Sequence, residues 1–348
     1  MVSVTEDPAA SASASRPARP VRLIATDLDG TLLRDDKSVS DRTIAALAAA
    51  ERAGIEVFFV TGRPARWMDV VSDHVHGHGL AICANGAAVV DLHRGRRVID
   101  CSPLARTDAL AVVHALRSVA PGTSFAVERT NGIDYEPGYP PLQFDPTAVI
   151  APADKLLAEA GEGKAEGAWQ GEADGEEGEG EGEGGTESIS AAGSATTATA
   201  GTDTGTDTCT GTGPGNPATP ADGPVIKLLA FHPDMDPDAF LTLARTTAGA
   251  HASFTRSSPT ALLEISGLGV SKAGTLARCC AKRGIAAEEV VAFGDMPNDL
   301  EMLIWAGTSY AMANAHPDVL AATTHRTASN NEDGVAAVIE RLIEQRAQ

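Results

Sequence analysis

The sequence predicts an α/β fold, a doubly wound parallel sheet with an inserted α+β domain, and three observations carry that reading. Short continuous apolar runs alternate with helical patterns at both ends of the chain, as parallel strands covered on both faces do. The middle of the chain, residues 91–265, groups strand-like runs together instead of alternating them. Polar turns, most of them acidic, follow three of the outer runs, at the strand ends where doubly wound sheets bind ligands.

Taken in order, residues 1–20 form an Ala/Ser/Pro leader with nothing to pack, expected to be disordered. Residues 21–26 (VRLIAT) are too short for a helix and read as a buried strand. A helix should follow, with Ser40 as its N-cap, Ile44, Leu47 and Ala48 on one face and Gly54 just past its end. Residues 55–60 (IEVFFV) give a second strand, Pro64 opens a second helix, and residues 80–83 (LAIC) give a third strand. In the middle, strands are expected at 98–100, 124–129, 225–231, 253–256 and 262–265, with helices at 108–119 and 237–248. The outer pattern then resumes: helix 271–283, strand 290–293, helix 297–306, strand 309–312 and helix 331–344. Residues 21–90 and 266–348 therefore make one domain, and 91–265 an insert.

The 348 residues suffice for about two domains of ordinary size. A formal charge of −20 argues against general binding to nucleic acid or anionic membranes. That charge is concentrated. Residues 161–223 hold 13 acidic side chains against Lys164 alone, together with 17 of the 35 glycines, and their only large apolar residues are Trp169, Ile189 and Cys209. Such a stretch cannot bury enough surface to offset its ordering entropy, so it reads as a disordered insertion in the middle domain, tolerated because long surface loops cost little to close. No apolar run reaches the roughly 18 residues of a membrane span, and the N-terminus lacks a signal core, so a cytoplasmic protein is expected. Five cysteines, Cys83, Cys101, Cys209, Cys279 and Cys280, without C-x-x-C spacing suggest reduced thiols. His74, His76 and His78 alternate, yet a solvated loop explains them better than a metal site.

The chemistry lies in four clusters: Asp27-Leu28-Asp29-Gly30-Thr31 after the first strand, Thr61-Gly62-Arg63 after the second, Gly294-Asp295-Met296-Pro297-Asn298-Asp299 after the strand at 290, and Lys272 at a helix start. Aspartates at i and i+2 beyond a strand, joined by a third from a neighbouring strand, concentrate negative charge that calls for a hard cation such as Mg²⁺. Gly30 allows a sharp turn that aims backbone N–H groups at an anion, and Lys272 can act as a point charge on phosphate.

In this order and at these positions, the four clusters resemble the motifs of the haloacid dehalogenase-like (HAD) superfamily, specifically Cof-type phosphatases with a type IIB cap. Ala84-Asn85-Gly86-Ala87 and Ala311-Met312-x-Asn314-Ala315 look like the same subfamily, while Ala273, where a glycine usually follows the lysine, and the acidic insertion depart from it. The resemblance implies a HAD-like Rossmannoid core, with the insert as a cap closing over it. It implies Asp27 as nucleophile forming an aspartyl-phosphate, Asp29 as acid and base, and Thr61 and Lys272 as further catalytic residues. Gly62, Arg63, Asn85 and Asn298 would bind substrate. Asp27, Asp29 (through its carbonyl) and Asp295 would hold Mg²⁺, with Asp299 in support. The expected activity is hydrolysis of small phosphorylated metabolites, sugar phosphates first and nucleotide or flavin phosphates next, with no obligate protein partner. A phosphomutase on the same scaffold, or a non-catalytic binding protein acting through the acidic insertion, is the alternative.

Overall fold

A computed structural model describes residues 20–72, 79–140, 145–158, 223–258, 260–323 and 325–347. The leader up to residue 19, His74, His76 and His78, and the acidic insertion up to residue 222 lie outside the described residues.

In chain order the elements are β1 (Leu23–Thr26), α1 (Asp41–Arg52), β2 (Glu56–Val60), α2 (Asp69–Ser72), β3 (Leu80–Cys83), β4 (Ala88–Asp91), β5 (Arg97–Cys101) and α3 (Arg106–Val119). Then come β6 (Ser124–Arg129), β7 (Gly132–Tyr135), α4 (Ala153–Leu156), β8 (Val225–Phe231), α5 (Pro237–Ala248), β9 (Ser253–Thr255) and β10 (Leu262–Ser266). The chain continues with α6 (Lys272–Lys282), β11 (Val290–Gly294), α7 (Leu300–Trp305), β12 (Thr308–Ala311), α8 (Pro317–Ala322), β13 (His325–Arg326) and α9 (Gly334–Ala347).

Among the described residues the strands make two sheets, ordered β13-β12-β11-β1-β2-β3-β4-β5 and β7-β6-β8-β10-β9. The first is parallel from β13 through β3, with Ala25 level with both Phe58 and Ala292. Its inner strands are apolar throughout because both faces are covered: Leu23, Ile24, Phe58, Phe59 and Phe293 are completely buried. Since β1 is flanked by β2 on one side and by the late strand β11 on the other, the strand order reverses beside it, and a crevice opens at its carboxyl end. Helix α1 starts at Ser40, whose side chain accepts from the Thr43 N–H, as expected. It buries Thr43, Ala46, Leu47 and Ala50 rather than the Ile44 face, a rotation that sets it against α9.

Several expectations need correction. The strand expected at 98–100 within the insert is β5, and it extends the first sheet through an antiparallel β3-β4-β5 edge. Asp91 therefore ends a core-sheet strand, and the chain leaves that sheet only after Cys101. The helix at Pro64 is a single 3₁₀ turn (Ala65–Trp67) followed by the short α2, and 297–306 likewise begins with a 3₁₀ turn. Cys83, Cys279 and Cys280 are free and buried, and burial pushes the Cys83 thiol up to about 12, but Cys101 is disulfide-bonded, so the thiols are not all reduced. Among the described residues no helix is long and apolar enough to cross a membrane.

The second sheet is antiparallel and two-faced. Phe125, Val127, Leu228, Ala230, Leu263 and Ile265 form one apolar core with residues of α3, α4 and α5. The alternation of a strand sends the intervening residues, among them Glu128, Lys227, Leu229, Leu262 and Glu264, to the opposite face, where they line a cavity above the end of β1.

Candidate active site

The cavity encloses about 400 Å³ between the two sheets. Asp27, Asp29, Thr61, Gly62, Arg63 and Asn298 contribute to its lining from the first sheet, all from turns at strand ends. Below them Lys272, at the first turn of α6, places its Nζ 2.7 Å from Asp27 Oδ1 and 2.7 Å from Asp299 Oδ1. Carboxylate oxygens of Asp27, Asp295 and Asp299 gather within 4.8 Å of one another.

The turn chemistry explains how they meet. At Gly30 φ is +78°, and a Cβ there would lie 2.3 Å from Asp295 Oδ2, so only glycine lets the first turn approach the Asp295 turn this closely. Thr31 Oγ1 donates to Asp295 Oδ1 at 2.7 Å, and Asn314 Nδ2 braces the Gly30 carbonyl at 2.8 Å. Asp299 Oδ2 accepts the Asp295 and Met296 N–H groups at 3.1 and 3.0 Å, which fixes its other oxygen on Lys272.

Three carboxylates against one ammonium leave the buried cluster negative. Burial pushes the Asp27 carboxyl well above its usual range; Lys272 pulls it down, and Asp299 and Asp295 push it up again. Asp295 is pushed up to about 7, by burial first and by Asp299 next. Burial opposes the charge on Lys272, but Asp27 and Asp299 outweigh it and hold the ammonium above its ordinary range. An oxygen-only donor set that resists ionisation without a cation fits a hard divalent ion. Asp27, Asp295 and Asp299 are the side chains that could hold one.

Asp29 is placed differently. Its carboxylate turns away to Arg63, which reaches it at 2.6 and 2.7 Å, and to Lys37 at 2.9 Å. Burial opposes its charge, but these hydrogen bonds prevail and hold the carboxyl below its ordinary value. Thr61 Oγ1 accepts the Arg63 N–H at 3.1 Å. Asn85, left-handed at φ +55°, accepts from Asn298 Nδ2 at 3.2 Å and donates to Glu264 of the second sheet. The expected site residues thus converge, with Asp299 in the acidic cluster itself and the Asp29 side chain outside it.

Sequence reasoning missed the wall opposite. Glu128 pairs with Arg66 beside the cavity, Lys227 Nζ donates to the Gly62 carbonyl at 2.8 Å, and Tyr135 stacks on Tyr139 with ring centroids 5.7 Å apart. Burial raises the Glu128 carboxyl even against Arg66. Charges inside otherwise largely apolar strands, Glu128 and Arg129 in SFAVER, Lys227 in VIKLLAF and Glu264 in LLEIS, were the available signal.

The model of one family, haloacid dehalogenase-like hydrolase, matches residues 24–143 and 212–339. The chain is 24% identical over 323 residues to the 5-amino-6-(5-phospho-D-ribitylamino)uracil phosphatase YcsE of Bacillus subtilis, covering 93% of this chain and 96% of that protein. It is 47% identical to the phosphatase of the same description YbjI of Escherichia coli, over 79 residues that make up 23% of this chain and 29% of that one. Among solved structures, the HAD subclass IIB sugar phosphatase BT4131 superposes with a TM-score of 0.63 at 18% identity, covering 92% of this chain and 98% of that one, a likeness of fold.

Proposed function

The chain belongs to the haloacid dehalogenase-like hydrolase family, and from that premise we propose that it is a Mg²⁺-dependent phosphatase of small phosphorylated metabolites, working through an aspartyl-phosphate. The observation that carries the reading is the Lys272 ammonium bridging Asp27 and Asp299 at 2.7 Å each, at the base of a cavity that also holds Asp29. Asp27 supplies the carboxylate oxygen that bonds to phosphorus as the bond to the leaving oxygen breaks. Lys272 offsets the charge that would otherwise repel the attack. Asp29, once free of Arg63 and Lys37, takes a proton from solvent and gives it to the leaving oxygen; it then takes one from the water whose oxygen attacks phosphorus and releases Asp27. Thr61, Gly62 and Asn298 are suited to hold the phosphoryl oxygens. A Mg²⁺ held by Asp27, Asp295 and Asp299, with the Asp29 carbonyl, would supply charge neutralisation for the transferring group.

Residues 21–101 and 266–348 would carry this chemistry, and residues 102–265 would serve as the cap that receives the leaving group. The cap wall pairs charged groups with the Tyr135–Tyr139 stack and Leu229 and Leu262, facing Trp67 across the cavity. Such a wall suits a leaving group that joins hydroxyls to a planar ring, in keeping with the ribitylaminouracil phosphates named for the relatives, with simple sugar phosphates next. A phosphate-release screen over polyol, sugar, nucleotide and cofactor phosphates, with and without Mg²⁺, tests the proposal. Turnover needing Mg²⁺ and Asp27, highest on ring-bearing substrates, is expected; no release from any substrate would overturn it.

A further inference from the structure

We propose that Lys227 is a positioning residue: from the second sheet it holds the turn 61–63 in the shape that receives phosphate, so that apposition of the two sheets completes the phosphate site. The proposal rests on the phosphatase reading above. Lys227 sits in β8, 4% exposed, and its ammonium is engaged before any substrate arrives. Nζ donates to the Gly62 carbonyl at 2.8 Å and lies 3.8 Å from Glu264 Oε1. Burying a lysine is costly unless its charge is met, and here a carbonyl from one sheet and a carboxylate from the other meet it.

Glu264 grips the same region from the neighbouring strand β10. It accepts from Asn85 Nδ2, and Asn85 in turn donates its backbone N–H to the Thr61 carbonyl at 3.0 Å and accepts from Asn298 at 3.2 Å. A Cβ on Gly62 would lie 3.2 Å from Glu264 Oε2 and 3.3 Å from Asn85 Oδ1. Two opposite charges from the second sheet therefore straddle one residue of the first, next to Thr61. If Lys227 served only to read the leaving group, its ammonium would have no reason to be spent on a backbone carbonyl of the opposite sheet.

The test compares Lys227→Met, Lys227→Arg and wild type by three readouts: thermal unfolding, affinity for inorganic phosphate with Mg²⁺ present by calorimetry, and kcat/KM on acetyl phosphate and on the best substrate of the screen. Acetyl phosphate has too small a leaving group to need the wall. Lys227→Met should weaken phosphate binding and lower kcat/KM on both substrates in parallel, by about 10- to 100-fold, the worth of a buried charged hydrogen bond, with Lys227→Arg recovering part of the loss. Phosphate affinity and acetyl phosphate turnover both within about twofold of wild type would overturn the proposal, whatever happens to the larger substrate. Should Lys227→Met fail to fold because Glu264 is left unpaired, the double variant Lys227→Met/Glu264→Gln removes both buried charges together with the same contact. It should give the same parallel losses, and wild-type phosphate affinity in that variant would overturn the proposal equally. If wild type bound phosphate yet released none from any substrate, the phosphatase reading would fall while the affinity comparison still decided the role of Lys227.

Discussion

Arg63 grips Asp29 at two points, Nε to Oδ2 at 2.6 Å and Nη2 to Oδ1 at 2.7 Å. The pair keeps the proposed proton carrier ionised and turned away from the acidic cluster, so a substrate anion that draws Arg63 to itself would also release Asp29. Arg63→Met should raise KM through the lost cation and shift the alkaline limb of the kcat/KM profile to higher pH, because Asp29 would keep its proton longer. The sign for stability follows from the lowered carboxyl. Its contribution is present above the ordinary value of 3.8 and lost as pH falls through the folded value, so the variant and wild type should converge in unfolding temperature in strong acid. An unmoved alkaline limb would separate Arg63 from the proton step.

Asp295 and Asp27 behave oppositely, with carboxyls raised by burial first and by the Asp299 carboxylate beside both. A raised carboxyl contributes stability below its unfolded value of 3.8 that is lost as pH climbs through the folded value, about 7 for Asp295. Metal-free protein should therefore lose stability between roughly pH 4 and pH 7, and the stabilisation by Mg²⁺ should be larger at pH 8 than at pH 5.5. Thermal scans with and without Mg²⁺ at the two pH values check this. Equal metal-induced shifts would contradict it.

Asp27→Asn keeps the shape of the side chain and removes both the attacking oxygen and one of three crowded charges. Phosphate release should fall to background, while the unfolding temperature without metal at pH 8 should equal or exceed that of wild type. A destabilised variant would mean that the Asp27–Lys272 bond outweighs the repulsion among the carboxylates.

At Gly30 the close approach to Asp295 leaves no room for a side chain. Gly30→Ala should cost about 1–3 kcal/mol by denaturant titration and raise the Mg²⁺ concentration needed for half-maximal activity. An unaltered metal requirement would show that the first turn can relax without moving Asp295.

These sites were legible in the sequence to different depths, for physical reasons. LIAT and VVAF are buried on both faces, so their apolar runs reported strands, and the acidic turns after them reported the crevice, because buried like charges have few other uses. AAVVD beyond Asn85 was not read as a strand: its partner across the sheet, β5, lies in a sequence that looked like part of the insert. Glu128, Lys227 and Glu264 could be assigned to one face by period-2 alternation. That this face meets Gly62 is set by how two sheets pack, and no local pattern encodes such a contact.

The two ends of the acidic insertion are tied by one buried side chain. Arg129, 1% exposed, donates from Nη2 to the Leu156 carbonyl at 2.5 Å and from Nη1 to the Gly223 carbonyl at 3.0 Å. Both stems of the insertion are therefore fixed within the span of one guanidinium, and β6 and β8 pair across the gap irrespective of what joins them. With reductant present, so that the Cys101 disulfide is open in both proteins, replacing residues 159–222 by a short Gly/Ser link should leave turnover unchanged and stabilise the protein by about 1–2 kcal/mol, since a shorter loop costs less entropy to close. Gly223 has to stay, because its carbonyl is one of the two that Arg129 holds. Arg129→Met in the shortened chain should cost about 3–5 kcal/mol, as it strips two carbonyls of their donor and removes the cation 3.8 Å from Asp134. A shortened chain that loses turnover while keeping its unfolding temperature would instead show that the insertion takes part in the reaction.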